Sequence, residues 1–350
     1  MKFNQISILA FAGLAASLFS SCKKSEDHNA HKKVLNVDFP AAFVVNGSSN
    51  TVSVVNLSEA KEHATISLNG ATYPHHINIS PDKSKLAVAI TSTDLSGGHA
   101  VHGGNVTGLK VQILSSKTGV IEKEIVLSKM PHNAIFNPDG SELWLGQMDT
   151  MQSTVLVYNT SDWSLKNTIA VGKGLSEVSF ARDGSMVFAA NTTDGTVTMI
   201  NPSSKMVHKT ITVGVDPVGA WPGVDGNMFV DNETSQTISV IDVASGTVTV
   251  TFPLGFKPGY AAQHPNGQLW VSDATNGKVV IYKFTGGVWT IMHGVATGAD
   301  AHAIAFNADG SKAYITNQGA GNVSVVDAST HIKIQDIVVG SKPNGILIAP

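Results

Sequence analysis

From about residue 40 onward the chain is written in short apolar runs separated by Gly, Asn, Asp and Ser. The closing stretch is the clearest copy. Residues 314–316, 323–326 and 332–339 alternate apolar with polar positions, and a fourth run, 345–349, follows Pro343. Alternation of period two, bounded by turn residues, predicts short antiparallel strands.

The pattern recurs at a regular interval. A turn pair after each first strand supplies one ruler: Pro81-Asp82, Asp139-Gly140, Asp183-Gly184, Asp225-Gly226, Asn266-Gly267 and Asp309-Gly310, spaced by 57, 44, 42, 41 and 43 residues. Third strands supply another, at residues 51–55, 109–114, 154–158, 196–200, 237–241, 278–282 and 322–326. Five of them run into Asn56, Asn159, Asn201, Asp242 or Asp327, short side chains that hydrogen-bond the backbone two residues on. Four strands per unit of about 40–45 residues is the period of a propeller blade. Six units are complete. The seventh is split, its first strand (344–349) at the C-terminus and its other three (42–45, 51–55 and 64–68) at the N-terminus. The expected fold is therefore an all-β, seven-bladed β-propeller of four-stranded antiparallel blades. Its terminal strands share the last blade, which closes the ring and protects open strand edges.

Tyr314-Ile315-Thr316-Asn317 with residues 322–327, and Phe43-Val44-Val45-Asn46 with the run after Asn50, resemble the YVTN β-propeller repeat. The resemblance covers roughly residues 40–350. It implies the YncE-like group, whose wider relatives include seven-bladed lactonases and the propellers of nitrite and nitrous-oxide reductases. It implies no single activity, because propellers host many.

Charged residues are 14% and aromatics 7%, with a formal charge of −3. No basic patch with interleaved aromatics stands out, so nucleic-acid binding is not expected. The one cysteine, Cys22, follows Lys2, an apolar run over residues 6–19 and Ser20-Ser21. That run is too short to span a bilayer. The arrangement resembles a bacterial lipoprotein signal, which implies cleavage before Cys22 and lipid on its sulfur. The expected division is a signal peptide at 1–21, a polar flexible tether at 22–38 and the propeller at 39–350. A lipid anchor makes the membrane the first partner and places the chain in the bacterial cell envelope, on a periplasmic or outer-membrane face.

The residues that lead into each first strand ring one mouth of a propeller channel. On the turn ruler they are His75, His132, Ser176, Val218, Gly259, His302 and Asn344. His302, Asn344, His75 and His132 follow one another around the ring, with His76 beside His75. The 57-residue gap marks an insertion at 91–108 on the same face, carrying His99 and His102. Met130, Met148, Met151 and Met292-His293 are expected at the same mouth. Imidazole suits copper, zinc and iron, and thioether favours Cu(I). The candidate metal ligands are thus His75, His132, His302, His99 and His102. The alternative is structural, since histidines at such positions also bond neighbouring loops. The His arc partly resembles the hub of nitrous-oxide reductase. The blades at Ser176, Val218 and Gly259 lack the histidine, however, and no cupredoxin domain follows, so that activity is not carried over. Trp144, Trp221 and Trp270 read as packing between blades. No nucleophile elbow, P-loop or HExxH helix occurs. The expected function is a monomeric binding module holding a metal ion or metallocofactor. A lactonase-like or cofactor-dependent oxidoreductase, and a scaffold that binds a protein on one propeller face, are the alternatives.

Overall fold

The computed structural model describes residues 35–96 and 106–349. Within them the chain forms seven four-stranded antiparallel sheets. Blade 1 is β4–β7 (Pro74–Ile79, Lys85–Ile90, Lys110–Ser115, Ile121–Val126) and blade 2 is β8–β11 (Pro131–Phe136, Glu142–Gln147, Thr154–Asn159, Leu165–Ala170). Blade 3 is β12–β15 (Leu175–Phe180, Val187–Asn191, Thr196–Asn201, Met206–Thr212) and blade 4 is β16–β19 (Pro217–Pro222, Asn227–Asn232, Thr237–Asp242, Thr247–Pro253). Blade 5 is β20–β23 (Pro258–Gln263, Leu269–Asp273, Lys278–Thr285, Val288–Ala296) and blade 6 is β24–β27 (Ala301–Phe306, Lys312–Asn317, Asn322–Asp327, Ile332–Val338). In blade 7, β28 (Pro343–Ala349) pairs with β1 (Ala41–Asn46), followed by β2 (Thr51–Asn56) and β3 (Lys61–Ser67). Phe43 faces Leu347 and Ala41 faces Ala349, so the two ends of the ring meet in one sheet as the repeat predicts.

Burial follows from this stacking. The second strands are buried along nearly their whole length, because a blade lies against each of their faces. The fourth strands alternate, because their outer face meets water. The core is seven apolar clusters, each formed between two neighbouring blades. Trp144, Val155 and Val157 of blade 2, for example, pack on Leu175, Val178 and Val187 of blade 3.

The repeated polar residues have definite work. Asp82, Asp139, Asp183 and Asp309 each accept the N–H of a serine two residues on, at 2.8–3.0 Å. Asn56, Asn201 and Asp327 do the same after third strands. The Asn that closes the second strand is a lock. In four blades (3, 4, 6 and 7) Asn191, Asn232, Asn317 and Asn46 are buried, and each amide reaches the third strand. There it donates to Thr198, Ser239, Ser324 and Ser53 at 2.9–3.2 Å.

Leu35, Val37 and Phe39 pack against the cluster between blades 7 and 1, and the Val37 N–H donates to the Lys117 carbonyl. The first two of these lie in the stretch that the sequence assigns to the tether. Cys22 and residues 1–21 lie outside the described residues.

Candidate functional site

Every first strand runs from the mouth of the channel to its opposite end, and every one slips register near its start. In blade 1, Pro74 faces Ile90 and Ile77 faces Val88, so His75 and His76 together stand opposite Ala89. In blade 2, His132 and Asn133 together stand opposite Gly146. The other five inner strands shift at the same place. A bulge of this kind puts an extra residue in one strand and re-aims side chains that simple alternation would send apart. The channel is consequently ringed by pairs: His75-His76, His132-Asn133, Ser176-Glu177, Val218-Gly219, Gly259-Tyr260, His302-Ala303 and Asn344-Gly345.

The bulges bring three imidazoles together. Ring centroids lie 4.3 Å apart for His75 and His76, 4.3 Å for His75 and His132, and 4.9 Å for His76 and His132. One potential ligand atom from each of the three lies within 4.8 Å of the others. His75 and His132 are buried; His76 is half-buried. His302 stands on the same rim but further out, its centroid 6.2 Å from His75 and 6.3 Å from His76. Two of the five expected ligands, His75 and His132, are therefore in the close set, and His76 joins them. His99 and His102 lie outside the described residues. Blade 7 makes room for this tier. A Cβ on Gly345 would stand 2.9 Å from the His75 carbonyl oxygen and 3.0 Å from the Cα of His76.

A carboxyl group supports the cluster from blade 3. Oε2 of Glu177 lies 3.0 Å from Nδ1 of His132 and 3.7 Å from Nε2 of His76. The amide of Asn133 donates to Glu177 Oε1 and, at 2.7 Å, to the Val178 carbonyl. Burial, and then the carboxylate of Asp231, push the Glu177 carboxyl well above the usual range, against the pull of the Asn133 hydrogen bond. Asp231 is fully buried and accepts the Trp221 indole N–H at 2.7 Å. Trp221 lies against Tyr260 with ring centroids 3.8 Å apart and the planes tilted by 36°. The indole folds back over its own strand because residue 219 is glycine; a Cβ there would sit 2.2 Å from the ring. The phenol of Tyr260 is pushed far up by burial and by the Glu177 and Asp231 carboxyls.

Two cavities flank the tier and share no residue. The inner one, about 280 Å³, is lined by His76, Asn133, Glu177, Phe136, Trp221 and Tyr260 among others. The one at the mouth, about 380 Å³, includes Ser96, Glu233, Lys257, Asp300, His302 and Gln318. Leu95 and Ser96 place the start of the inserted loop on the mouth face, as expected.

Trp221 packs in the cluster between blades 4 and 5, as expected, and in addition lines the channel. Other expectations need correction. Met130 and Met148 belong to the core between blades 1 and 2, and Met151 is exposed. Met292 and His293 lie on the outermost strand of blade 5, where His293 stacks on His331 at 5.6 Å. His264 is structural. Nδ1 accepts the Asn266 N–H, so Nε2 carries the proton and donates to the Gly310 carbonyl at 2.7 Å.

Solved structures with the same fold have unrelated roles. Hydrazine synthase of Kuenenia stuttgartiensis is 17% identical, with a TM-score of 0.66 over 78% of this chain and 88% of its own. The periplasmic gluconolactonase PpgL of Pseudomonas aeruginosa is 15% identical, with a TM-score of 0.71 over 89% and 99%. The dihydro-heme d1 dehydrogenase NirN, solved in complex with DHE, is 16% identical, with a TM-score of 0.63 over 88% and 74%. At these identities the likeness is one of fold. No curated protein sequence matches the chain significantly. Residues 177–349 match the YNCE-like beta-propeller family. With seven four-stranded blades closed by its own terminal strands, the chain is a YNCE-like beta-propeller.

Proposed function

We propose that the chain is a binding module of the cell envelope whose ring holds a transition-metal ion, copper, zinc or iron, on His75, His76 and His132. The observation that carries this reading is the meeting of three imidazoles from two adjacent blades, with one potential ligand atom each inside 4.8 Å. Imidazole is the donor these metals share. The surroundings suit a cation. Glu177 and Asp231 put two carboxyl groups in the same buried channel, and a buried charge needs such compensation. When bound, the ion would supply a Lewis-acid or redox centre.

The chain's own residues hold and aim the ligands. The bulge turns His75 and His76 to one side. Glu177 takes Nδ1 of His132, which makes Nε2 the nitrogen for the metal and fixes the ring's orientation. A three-imidazole set keeps coordination positions for a further ligand. That is the one support for the second reading, a lactonase-like or oxidoreductase enzyme. Cys22, with the apolar run before it, supports anchoring through lipid.

The test is elemental analysis of the chain from Cys22 onward, after exposure to Cu, Zn or Fe salts and desalting. Near-stoichiometric metal, lost in a folded His75→Ala/His132→Ala double variant, is expected. Background metal under every loading would overturn the site and favour a protein-binding scaffold with structural histidines. Substrate screening of the loaded protein separates binder from enzyme. Lipid labelling that persists in Cys22→Ser would overturn the anchor.

A further inference from the structure

Among the described residues, seven of the fourteen large apolar side chains that remain exposed lie on the outer strands of two adjacent blades, 5 and 6. In blade 5, β22 has 8 residues, where the third strands of the other blades have 6. With β23 it forms a hairpin closing on Gly286 and Gly287, on the face opposite the channel mouth. Two extra residues at about 3.3 Å each raise its tip roughly 7 Å above the neighbouring turns. Phe284, Val288 and Ile291 on this hairpin are 51%, 56% and 63% exposed. On the next blade, Ile332 and Ile334 of β27 are 64% and 52% exposed. Trp289 packs on Phe284 and Phe252, so the hairpin carries its own small core. Exposed apolar side chains gathered on a raised hairpin and on the outer strand of the next blade mark a contact surface.

Two observations identify what covers it. The described chain begins on this same face: Val37 bonds Lys117 in the β6–β7 turn, and Ala41 starts β1 opposite the end of β28. Gln335 of β27 donates to the Ala60 carbonyl, so the patch-bearing strand abuts the blade through which the N-terminal segment enters. The sequence ahead of Leu35 holds the apolar run at 6–19 and Cys22. Residues 23–34 between them span at most about 40 Å when extended. A lipid surface that holds this segment lies within reach of the patch.

We propose that the sector made by the β22–β23 hairpin and β27 rests on a lipid surface, with Phe284 and Val288 at headgroup depth and the channel mouth turned away. Aromatic and branched apolar side chains favour that depth. The other turns of this face carry Asp82, Asp139, Asp183 and Asp309, which stay in water, so the contact suits zwitterionic rather than anionic lipid.

The ring closes on its own strands, so the chain from Cys22 onward serves for the test. Its Cys22 thiol is coupled to a maleimide lipid in phosphatidylcholine vesicles with brominated acyl chains. The coupling supplies the anchor chemically, so the outcome is independent of lipidation in a cell and of metal binding. Tryptophan emission is expected to be quenched, the quenched component to vanish in Trp289→Phe, and quenching to be lost in Phe284→Ser/Val288→Ser with an unchanged melting temperature. No quenching in the tethered wild type, or equal quenching in the double variant, would overturn the proposal.

Discussion

Blades 3, 4, 6 and 7 keep the asparagine lock, and blades 1, 2 and 5 do not. In the first group the second strand ends in Asn191, Asn232, Asn317 or Asn46, each tied to a hydroxyl of the third strand. In the second group it ends in Ile90, Gln147 or Asp273. The departures coincide with the unusual parts of the molecule. Blade 1 supplies His75 and His76 and the inserted loop. Blade 2 supplies His132 and Asn133. Blade 5 supplies Tyr260 and the long hairpin. At the mouth the contrast repeats. In blade 3 the Ser176 and Thr192 hydroxyls bolt the tier to the blade 4 backbone at 2.6–2.8 Å. In blade 6 Thr316 reaches the Asn344 carbonyl at 2.9 Å. The lock holds four blades, while all three close imidazoles come from two blades that lack it, with Glu177 reaching them from a locked one.

The sharpest way to break this contrast is to write the lock where it is missing. Ile90 is fully buried among apolar side chains; it faces Lys110, and Gln112 stands opposite Val88, so the third strand offers no hydroxyl at either place. Ile90→Asn is expected to cost about 3 kcal/mol in urea unfolding, from lost apolar burial and a stranded amide. A cost below about 1 kcal/mol would mean that blade 1 still accommodates the repeat. Next in size, Asn191→Ala should lose about 2 kcal/mol, because the buried Thr198 hydroxyl and the half-buried Thr196 hydroxyl lose their donor. An unchanged urea midpoint would reduce the lock to ornament.

Glu177→Gln tests the other side of the contrast. Orienting carboxyls on metal-bound histidines are worth roughly 10–100-fold in affinity, so metal binding, followed by competition with a chelator, should weaken by about tenfold. Stability should move the other way. The Glu177 carboxyl is raised above its ordinary 4.5, so its contribution is fully present below that value and is lost as pH rises through the raised one. The glutamine variant should therefore be as stable as the wild type or more so at neutral pH. A less stable variant that keeps its metal affinity would make Glu177 a packing residue.

The smallest effect belongs to a regular turn. Bonds from the Ser329 hydroxyl and the Thr330 N–H hold Asp327 down at about 2, from an ordinary 3.8. Its stabilisation is present above the ordinary value and is lost as pH falls through about 2. The small stability gap between wild type and Asp327→Ala should close over that acid window. A gap that stays constant there would exclude the carboxylate as its source.

The ring was legible in the sequence because turn chemistry and strand length repeat. The leading positions of the seven inner strands followed from one ruler, and they fall on the channel wall. What stayed hidden was set by pairing across strands. Period-two alternation sends His76 and Glu177 away from His75 and Ser176, and only the bulge, a property of two strands together, turns each pair to one side. Trp221 gave one faint signal, the glycine two residues before it, which leaves space for the indole. Met292 and His293 were misplaced because β23 runs on to Ala296. They therefore lie in mid-strand, on the rim of the blade.

The pairing of β28 with β1 also bears on how the molecule breathes. In most proteins the last few residues fray first and exchange their amide hydrogens within seconds. Here Ile346, Leu347 and Ile348 form the clasp of the whole circle. The amides of β28 that bond β1 can open only when the circle does, so these residues near the end of the chain should rank among the slowest to take up deuterium.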